Sequence, residues 1–162
     1  MSEGSTVMAM SKTPKAPIQI AIQNRQRALA IRTAIVKRCV QQIMIYLGCA
    51  DKELSVVFAN DRLIRELNRV YRNQDRPTNV LAFPQFSTPH SGPAVALLGD
   101  VVVSLPTAAR EARDLHQSLE ERVTYLLLHG ILHLLGYDHD RSTAERCRME
   151  ALEEEVLRHL HG

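Results

Sequence analysis

The chain has 162 residues, of which 45% are hydrophobic, so it is long enough for one globular domain with a buried core. Only 4% of the residues are aromatic and there is no tryptophan, which argues against a nucleic-acid surface built mainly from stacked rings. The formal net charge of +2 is too small to indicate a polyanionic partner by itself.

The three cysteines are widely spaced and form no CxxC pair, which excludes a disulfide framework or a cysteine-rich zinc site. This pattern is typical of a reducing compartment, and we predict a cytoplasmic protein. No apolar run approaches the roughly 18 residues that a spanning helix needs, so no membrane partner is expected. Residues 1–17 lack the features of a secretory signal, and we predict that they form a flexible tail before a single domain over 18–162.

Strand and helix patterns are mixed along the domain rather than strictly alternating. In chain order, they predict strands over 18–23, 54–59, 80–83 and 98–105, and helices over 28–47, 61–71, from Pro106, over 120–135 and over 143–160. Asn60 and Ser142 are expected to cap the helices that follow them, and a loop is predicted over 84–96. The predicted fold class is α+β, with one small mixed sheet of about four strands packed with about five helices.

The segment HGILHLLGYDH, residues 129–139, contains three histidines at a spacing suited to one metal ion. His129 and His133 lie one helical turn apart and therefore on the same face. Gly136 can adopt the left-handed conformation that ends a helix, and the resulting turn can return His139 to the same point. Three nitrogen ligands leave the fourth zinc position open to water, which is the arrangement of a catalytic site.

The spacing matches the metzincin pattern HxxxHxxGxxH with one omission. Metzincins carry a glutamate directly after the first histidine as general base, and this chain has Gly130 there. The ligand frame is therefore present without the protease base, which favours another hydrolytic reaction over peptide hydrolysis. A purely structural zinc site would need a fourth protein ligand, for which Asp138, Asp140 and Cys147 are nearby candidates.

A second polar segment, NRVYRNQDRPTNVLAFP over residues 68–84, is rich in arginine. Arg62, Arg65 and Arg69 share one helical face, which reads as a solvated surface. Arg72 differs because it follows Tyr71 at the predicted helix end, where a fixed guanidinium could bind phosphate with two parallel hydrogen bonds. Asp75 could orient it or simply form the turn.

Three blocks, NRVYRNQDRPTNVLAFP, LLGDVVVSLP and HGILHLLGYDH, resemble the YbeY family of bacterial rRNA maturation factors, regarded as metal-dependent endoribonucleases. The resemblance covers nearly the whole chain after the tail. It implies zinc ligands at His129, His133 and His139, and a functional arginine at Arg72. It departs from many members at Asn79 and Ala82, neither of which is a predicted ligand.

The resemblance further implies a single-stranded RNA substrate near the 3′ end of the small-subunit rRNA precursor, a part in ribosome quality control, and ribosomal small-subunit components as partners. The leading hypothesis is zinc-assisted phosphodiester cleavage, with Arg72 stabilising charge in the transition state. Asp100 and Asp138 are candidates for a general base. Ni²⁺ or another divalent ion also suits three imidazoles. The alternatives are a non-catalytic zinc-containing assembly factor and a metzincin-like peptidase.

Overall fold

Four strands and five helices make up the part of the chain that the computed structural model describes, residues 18–84 and 97–162. They are β1 (Ile20–Asn24), α1 (Thr33–Tyr46), β2 (Glu53–Ala59), α2 (Asp61–Arg72), β3 (Val80–Pro84), β4 (Leu97–Ser104), α3 (Leu105–Asp114), α4 (Leu119–Leu134) and α5 (Thr143–His161). The predicted tail over 1–17 and nearly all of the predicted loop over 84–96 lie outside the described residues. None of the described helices is both long and apolar enough to cross a bilayer.

The strands form one mixed sheet in the order β1-β2-β4-β3. The first three strands in this order are parallel, and β3 lies antiparallel to β4 at the edge. The predicted α+β class, with one mixed sheet of four strands and five helices, is therefore confirmed.

Successive side chains of β4 lie on opposite faces of the sheet. Val101 and Val103 belong to the main core with α1, α4 and α5, whereas Val102 belongs to a smaller cluster under α2. This alternation follows from the two-residue period of a strand. Helix α2 thus covers the opposite face from α4, and its end reaches the edge strand β3.

Helix α4 is the central helix of the main core. Its fully buried leucine and isoleucine side chains each contribute about 1.5–3 kcal/mol of burial free energy. Ser118 caps its start, since the hydroxyl accepts from Glu121 N–H at 3.0 Å while the Glu121 carboxylate accepts from Ser118 N–H at 3.0 Å. The predicted caps Asn60 and Ser142 are confirmed by hydrogen bonds from the helix backbone.

The predicted start of α1 at residue 28 is wrong, because the helix begins at Thr33. The Gln26 side chain holds the preceding chain in a turn, with both its amide nitrogen and its oxygen bonded to the Leu29 backbone at 2.9 Å. The N–H of Arg32 then donates to the Glu120 carboxylate of α4 at 2.8 Å. This hydrogen bond joins the N-cap residue of α1 to a residue far away in sequence.

Candidate metal centre

Helix α4 presents two imidazoles to one point. His129 and His133 lie one turn apart, and their Nε2 atoms are 3.2 Å from each other. The His139 ring lies 5.2 and 5.0 Å from the other two rings, measured between centroids. One nitrogen from each of the three rings falls within 4.8 Å of the others. The histidines that the spacing predicted to converge do so.

The turn after α4 brings the third histidine back. Gly136 has a φ of 103°, in the left-handed region that favours glycine. Its N–H donates to the His133 carbonyl at 3.0 Å, and the next N–H, of Tyr137, donates to the Leu132 carbonyl at 3.0 Å. These two bonds form a Schellman motif, which ends the helix and reverses the chain toward His139.

The donor set fits a tetrahedral divalent ion. Two nitrogens at zinc bonding distance are about 3.3 Å apart, close to the 3.2 Å between the Nε2 atoms of His129 and His133. The Nδ1 atom of His139 is buried and has no hydrogen-bond partner among the described residues, as expected of a metal ligand. Burial lowers the pKa of His133, and so does positive charge on the other two rings. The neutral, metal-binding imidazole is therefore favoured.

Among the described residues, none of the candidates for a fourth protein ligand has an atom within 4.8 Å of ligand atoms from all three histidines. Asp138 and Asp140 form a separate group with His139 alone, and Cys147 is exposed on α5. The geometry favours three nitrogen ligands with one position left open, as in catalytic zinc sites.

A buried carboxylate contacts the first histidine of the cluster. Glu153 of α5 is only 5% exposed, and its Oε2 lies 2.8 Å from Nδ1 of His129. The sequence predictions missed this residue. A charged residue on the apolar face of a predicted helix is the signal that could have found it. Glu153 shares the buried face of α5 with Met149 and Val156.

Arg72 lies at the end of α2, and its guanidinium faces the same cavity as the histidines. Its Nη2 donates to the Ala82 carbonyl of β3 at 3.4 Å. Asp75 does not orient it, because that carboxylate accepts from Arg65 Nε at 2.9 Å. Arg72 is thus in contact with the edge strand through one long hydrogen bond.

The remaining arginines of α2 fit the interpretation of a solvated face. Arg65 pairs with Asp75, and Arg69 pairs with Glu66 on the same helix. All four side chains are more than half exposed, so these pairs add little stability.

Histidines and arginines share a polar cavity of about 730 Å³, within the range of small-ligand sites. Its charged and ligating residues come from the end of α2, the turn before β3, α4 and the turn after it. They are Arg72, Arg76, His129, His133, Asp138, His139, Asp140 and Arg141. The cavity therefore places three arginines and two aspartates around a cluster of imidazole nitrogens.

Comparison with known proteins identifies the family. A model of the family described as "Endoribonuclease YbeY" matches residues 21–161. The chain belongs to the YbeY family. It is 47% identical over 141 residues to the endoribonuclease YbeY of Geobacter metallireducens, covering 86% of this chain and 94% of that protein. It is 40% identical over 148 residues to that of Aquifex aeolicus, covering 91% and 95%.

A solved structure is also similar. The solution structure of a Thermotoga maritima protein superposes with a TM-score of 0.54 at 26% identity, covering 88% of this chain and 92% of that one. The likeness therefore extends over most of both chains.

In this YbeY family member, the structure explains the absence of a base at position 130. Gly130 is buried where α4 crosses β4, and a Cβ atom there would lie 2.6 Å from Cγ1 of Val101. A glutamate side chain has no room at this point. Of the two carboxylates predicted as general bases, Asp138 lines the cavity, whereas Asp100 of β4 is not among its lining residues.

Proposed function

We propose that this protein is a metal-dependent endoribonuclease that cleaves single-stranded RNA during the maturation of small-subunit rRNA in the cytoplasm. The observation that carries the proposal is one cavity holding three convergent imidazoles and Arg72. The relatives' name, endoribonuclease YbeY, supplies the class of substrate. The proposal extends to a part in ribosome quality control, with small-subunit components as partners.

His129, His133 and His139 would hold the ion, which we propose to be Zn²⁺. Three imidazoles suit zinc and also nickel. A bound ion would supply Lewis acidity toward a phosphoryl oxygen or a water molecule at the open position. Helix α4 carries the first two rings and its terminal Schellman turn returns the third, so the three nitrogens are already close together before an ion binds.

Arg72 would bind the non-bridging oxygens of the scissile phosphate. Arg72 lines the cavity and its Nη2 donates to the Ala82 carbonyl at 3.4 Å, so the guanidinium is close enough to form charge-assisted hydrogen bonds with a phosphate bound there. As negative charge grows on the phosphoryl oxygens, a positioned cation stabilises the transition state more than the ground state.

Asp138 is the lining carboxylate that we propose as a general base. Its Oδ1 accepts from the Asp140 N–H at 3.0 Å, which fixes its orientation in the turn between the second and third ligands. A carboxylate there could accept a proton from the attacking oxygen, whether that oxygen is water or the ribose 2′-hydroxyl.

The decisive experiment combines metal analysis with RNA cleavage before and after chelation. We expect about one divalent ion per chain, cleavage of a single-stranded RNA, loss of cleavage after chelation, and recovery with Zn²⁺. His133→Ala should bind no ion at the site and should not cleave. Equal cleavage by wild type and His133→Ala would show a contaminating nuclease and would overturn the proposal.

The products and a peptide control separate the remaining possibilities. A 2′,3′-cyclic phosphate would identify the 2′-hydroxyl as nucleophile and exclude direct attack by water. A bound ion without RNA cleavage would favour the non-catalytic assembly factor. Cleavage of unstructured peptides would favour a peptidase, against which the buried Gly130 argues.

A further inference from the structure

Glu153 is a charged residue in a place where a charge is costly. It lies on the buried face of α5 between Met149 and Val156, and it is 5% exposed. Burying an isolated carboxylate costs several kcal/mol unless a hydrogen bond or an opposite charge compensates it. The carboxylate of Glu153 therefore needs a specific partner.

That partner is the first of the three histidines. Oε2 of Glu153 lies 2.8 Å from Nδ1 of His129. An ionised carboxylate only accepts, so this pairing favours the tautomer in which Nδ1 carries the proton and Nε2 has a free lone pair. This Nε2 is the atom that lies 3.2 Å from Nε2 of His133, on the side of the cavity.

The contact fixes both the tautomer and the rotation of the His129 ring. A bond from Nδ1 to a residue of another helix restricts the imidazole to the rotation in which Nε2 faces the other rings. The Asp140 carboxylate near His139 is less suited to this role, because it is 77% exposed and lies 3.4 Å from Nε2. The Glu153 contact is the buried one.

We propose that Glu153 is a positioning residue of the metal centre, which sets the tautomer and orientation of His129 and thereby raises its affinity for the ion. This role rests on the metal site of the proposed function. It assigns α5, which supplies none of the three histidines, a direct part in the site. Partners of this kind behind a metal-bound histidine typically contribute 10–100-fold in metal affinity.

The first test is Zn²⁺ affinity, measured by competition with a chromophoric chelator. Glu153→Gln keeps the shape and a weaker acceptor, and Glu153→Leu removes the acceptor. We expect Glu153→Gln to bind Zn²⁺ about 10-fold more weakly than wild type, and Glu153→Leu up to about 100-fold more weakly. Glu154→Gln makes the same change at the next, exposed position of α5 and should bind as wild type does.

A purely structural role of Glu153 would give a different result. It would lower the melting temperature of metal-free and metal-loaded protein equally and leave Zn²⁺ affinity unchanged, which would overturn the proposal. If wild type itself binds no Zn²⁺, the metal site fails as well. The two outcomes can be told apart, because wild type still binds Zn²⁺ tightly when only the role of Glu153 is wrong.

A second measurement is made on the wild-type protein and needs no substitution of Glu153. Long-range proton–nitrogen NMR of the metal-free wild type at neutral pH reports which imidazole nitrogen carries the proton. The His129 signals are assigned by their absence in His129→Gln. We expect a proton on Nδ1 of His129, and a proton on Nε2 instead would overturn the proposal.

Discussion

The side chain of Asp61 joins the start of α2 to the start of α3. Its Oδ1 accepts from the hydroxyls of Ser104 and Thr107, each at 2.6 Å, and its Oδ2 accepts from Arg110 at 2.8 Å. Burial alone would raise the pKa of this carboxyl, but the hydrogen bonds from the two hydroxyls and the guanidinium outweigh it and lower the pKa below 3.8.

A pH-dependent contribution to stability follows from this pKa. The folded state favours the charged form, so the contribution is fully present above about pH 4 and is lost as the pH falls through the lowered value. We expect Asp61→Asn to reduce the free energy of unfolding by about 1–3 kcal/mol at pH 7 and to flatten its decline below pH 4. Urea denaturation from pH 2 to 7 measures both effects.

The control for Asp61 is Asp114→Asn, at the exposed end of α3. It should reproduce neither the loss at pH 7 nor the flattened pH dependence. If both variants behave alike, the three hydrogen bonds to Asp61 contribute nothing specific.

Arg72 allows a prediction that separates catalysis from metal binding. Arg72→Ala should lower the rate of single-stranded RNA cleavage by about 10²–10³-fold, because a preorganised cation no longer meets the developing charge. Arg72→Lys should retain part of the rate, since it keeps the charge and loses the planar fork. Cleavage kinetics and Zn²⁺ affinity are measured together, with the exposed Arg62→Ala as control. Wild-type cleavage by Arg72→Ala would contradict the proposed role.

Among single residues, those placed by local geometry could be predicted from the sequence, and those placed by packing could not. The histidines were predictable because helical periodicity and one glycine fix their geometry locally. The contact of Arg72 with the Ala82 carbonyl was not predictable, because it depends on β3 packing against the end of α2. The pairing of Glu153 with His129 likewise depends on how α5 packs against α4.

At the scale of elements, the close approach of α4 to β4 depends on a glycine, Gly130, which has no side chain. Gly130 lets the helix approach Val101 so closely that a Cβ atom would lie 2.6 and 3.1 Å from the two valine methyl carbons. A valine side chain on a central strand cannot swing away, so either the helix or the strand would have to shift.

A double-mutant cycle tests this contact. Gly130→Ala should lower the free energy of unfolding by about 1–3 kcal/mol through overpacking, despite the better helix propensity of alanine. In a Val101→Ala background the clash is removed, and the same change should be neutral or stabilising by up to about 1 kcal/mol. Chemical denaturation of the four proteins measures the coupling. Additive effects would mean that the two residues do not limit the approach.

Element boundaries were predictable wherever the signal is local. Asn60 and Ser142 mark the starts of α2 and α5 by their own side chains, and the glycine at 136 marks the end of α4. The start of α1 has no such local signal, because the side chain of its N-cap residue Arg32 makes no capping hydrogen bond and its N–H donates to Glu120 of another helix. An apolar pattern that began before this point therefore predicted a helix that was too long.

At the scale of the whole molecule, the sheet order brings distant segments into one cavity. Because β3 pairs antiparallel with β4 at the edge, the chain between α2 and β3 runs beside the end of α4. Composition and periodicity predicted a mixed sheet but not this order, since strand pairing is decided by packing across the sheet. The arginines and the histidines meet only through that order.

The folded domain is predicted to begin at residue 18. The sequence predicts a tail over 1–17. Ile18, the first described residue, packs against the main hydrophobic core. Just beyond, the Gln19 carbonyl accepts from Leu54 N–H at 3.0 Å, and Ile20 of β1 is buried. Removing residues 1–17 should therefore leave the free energy of unfolding and the Zn²⁺ affinity unchanged.

A longer truncation provides the contrast. Removing residues 1–24 takes away β1, exposes its pairing edge on β2 and uncovers the core side of Leu54, so cooperative unfolding should be lost or strongly weakened. Urea denaturation and chelator competition on both truncations make the comparison. If the shorter truncation lost more than about 1 kcal/mol, a change typical of a residue with structural contacts, residues 1–17 would belong to the folded domain.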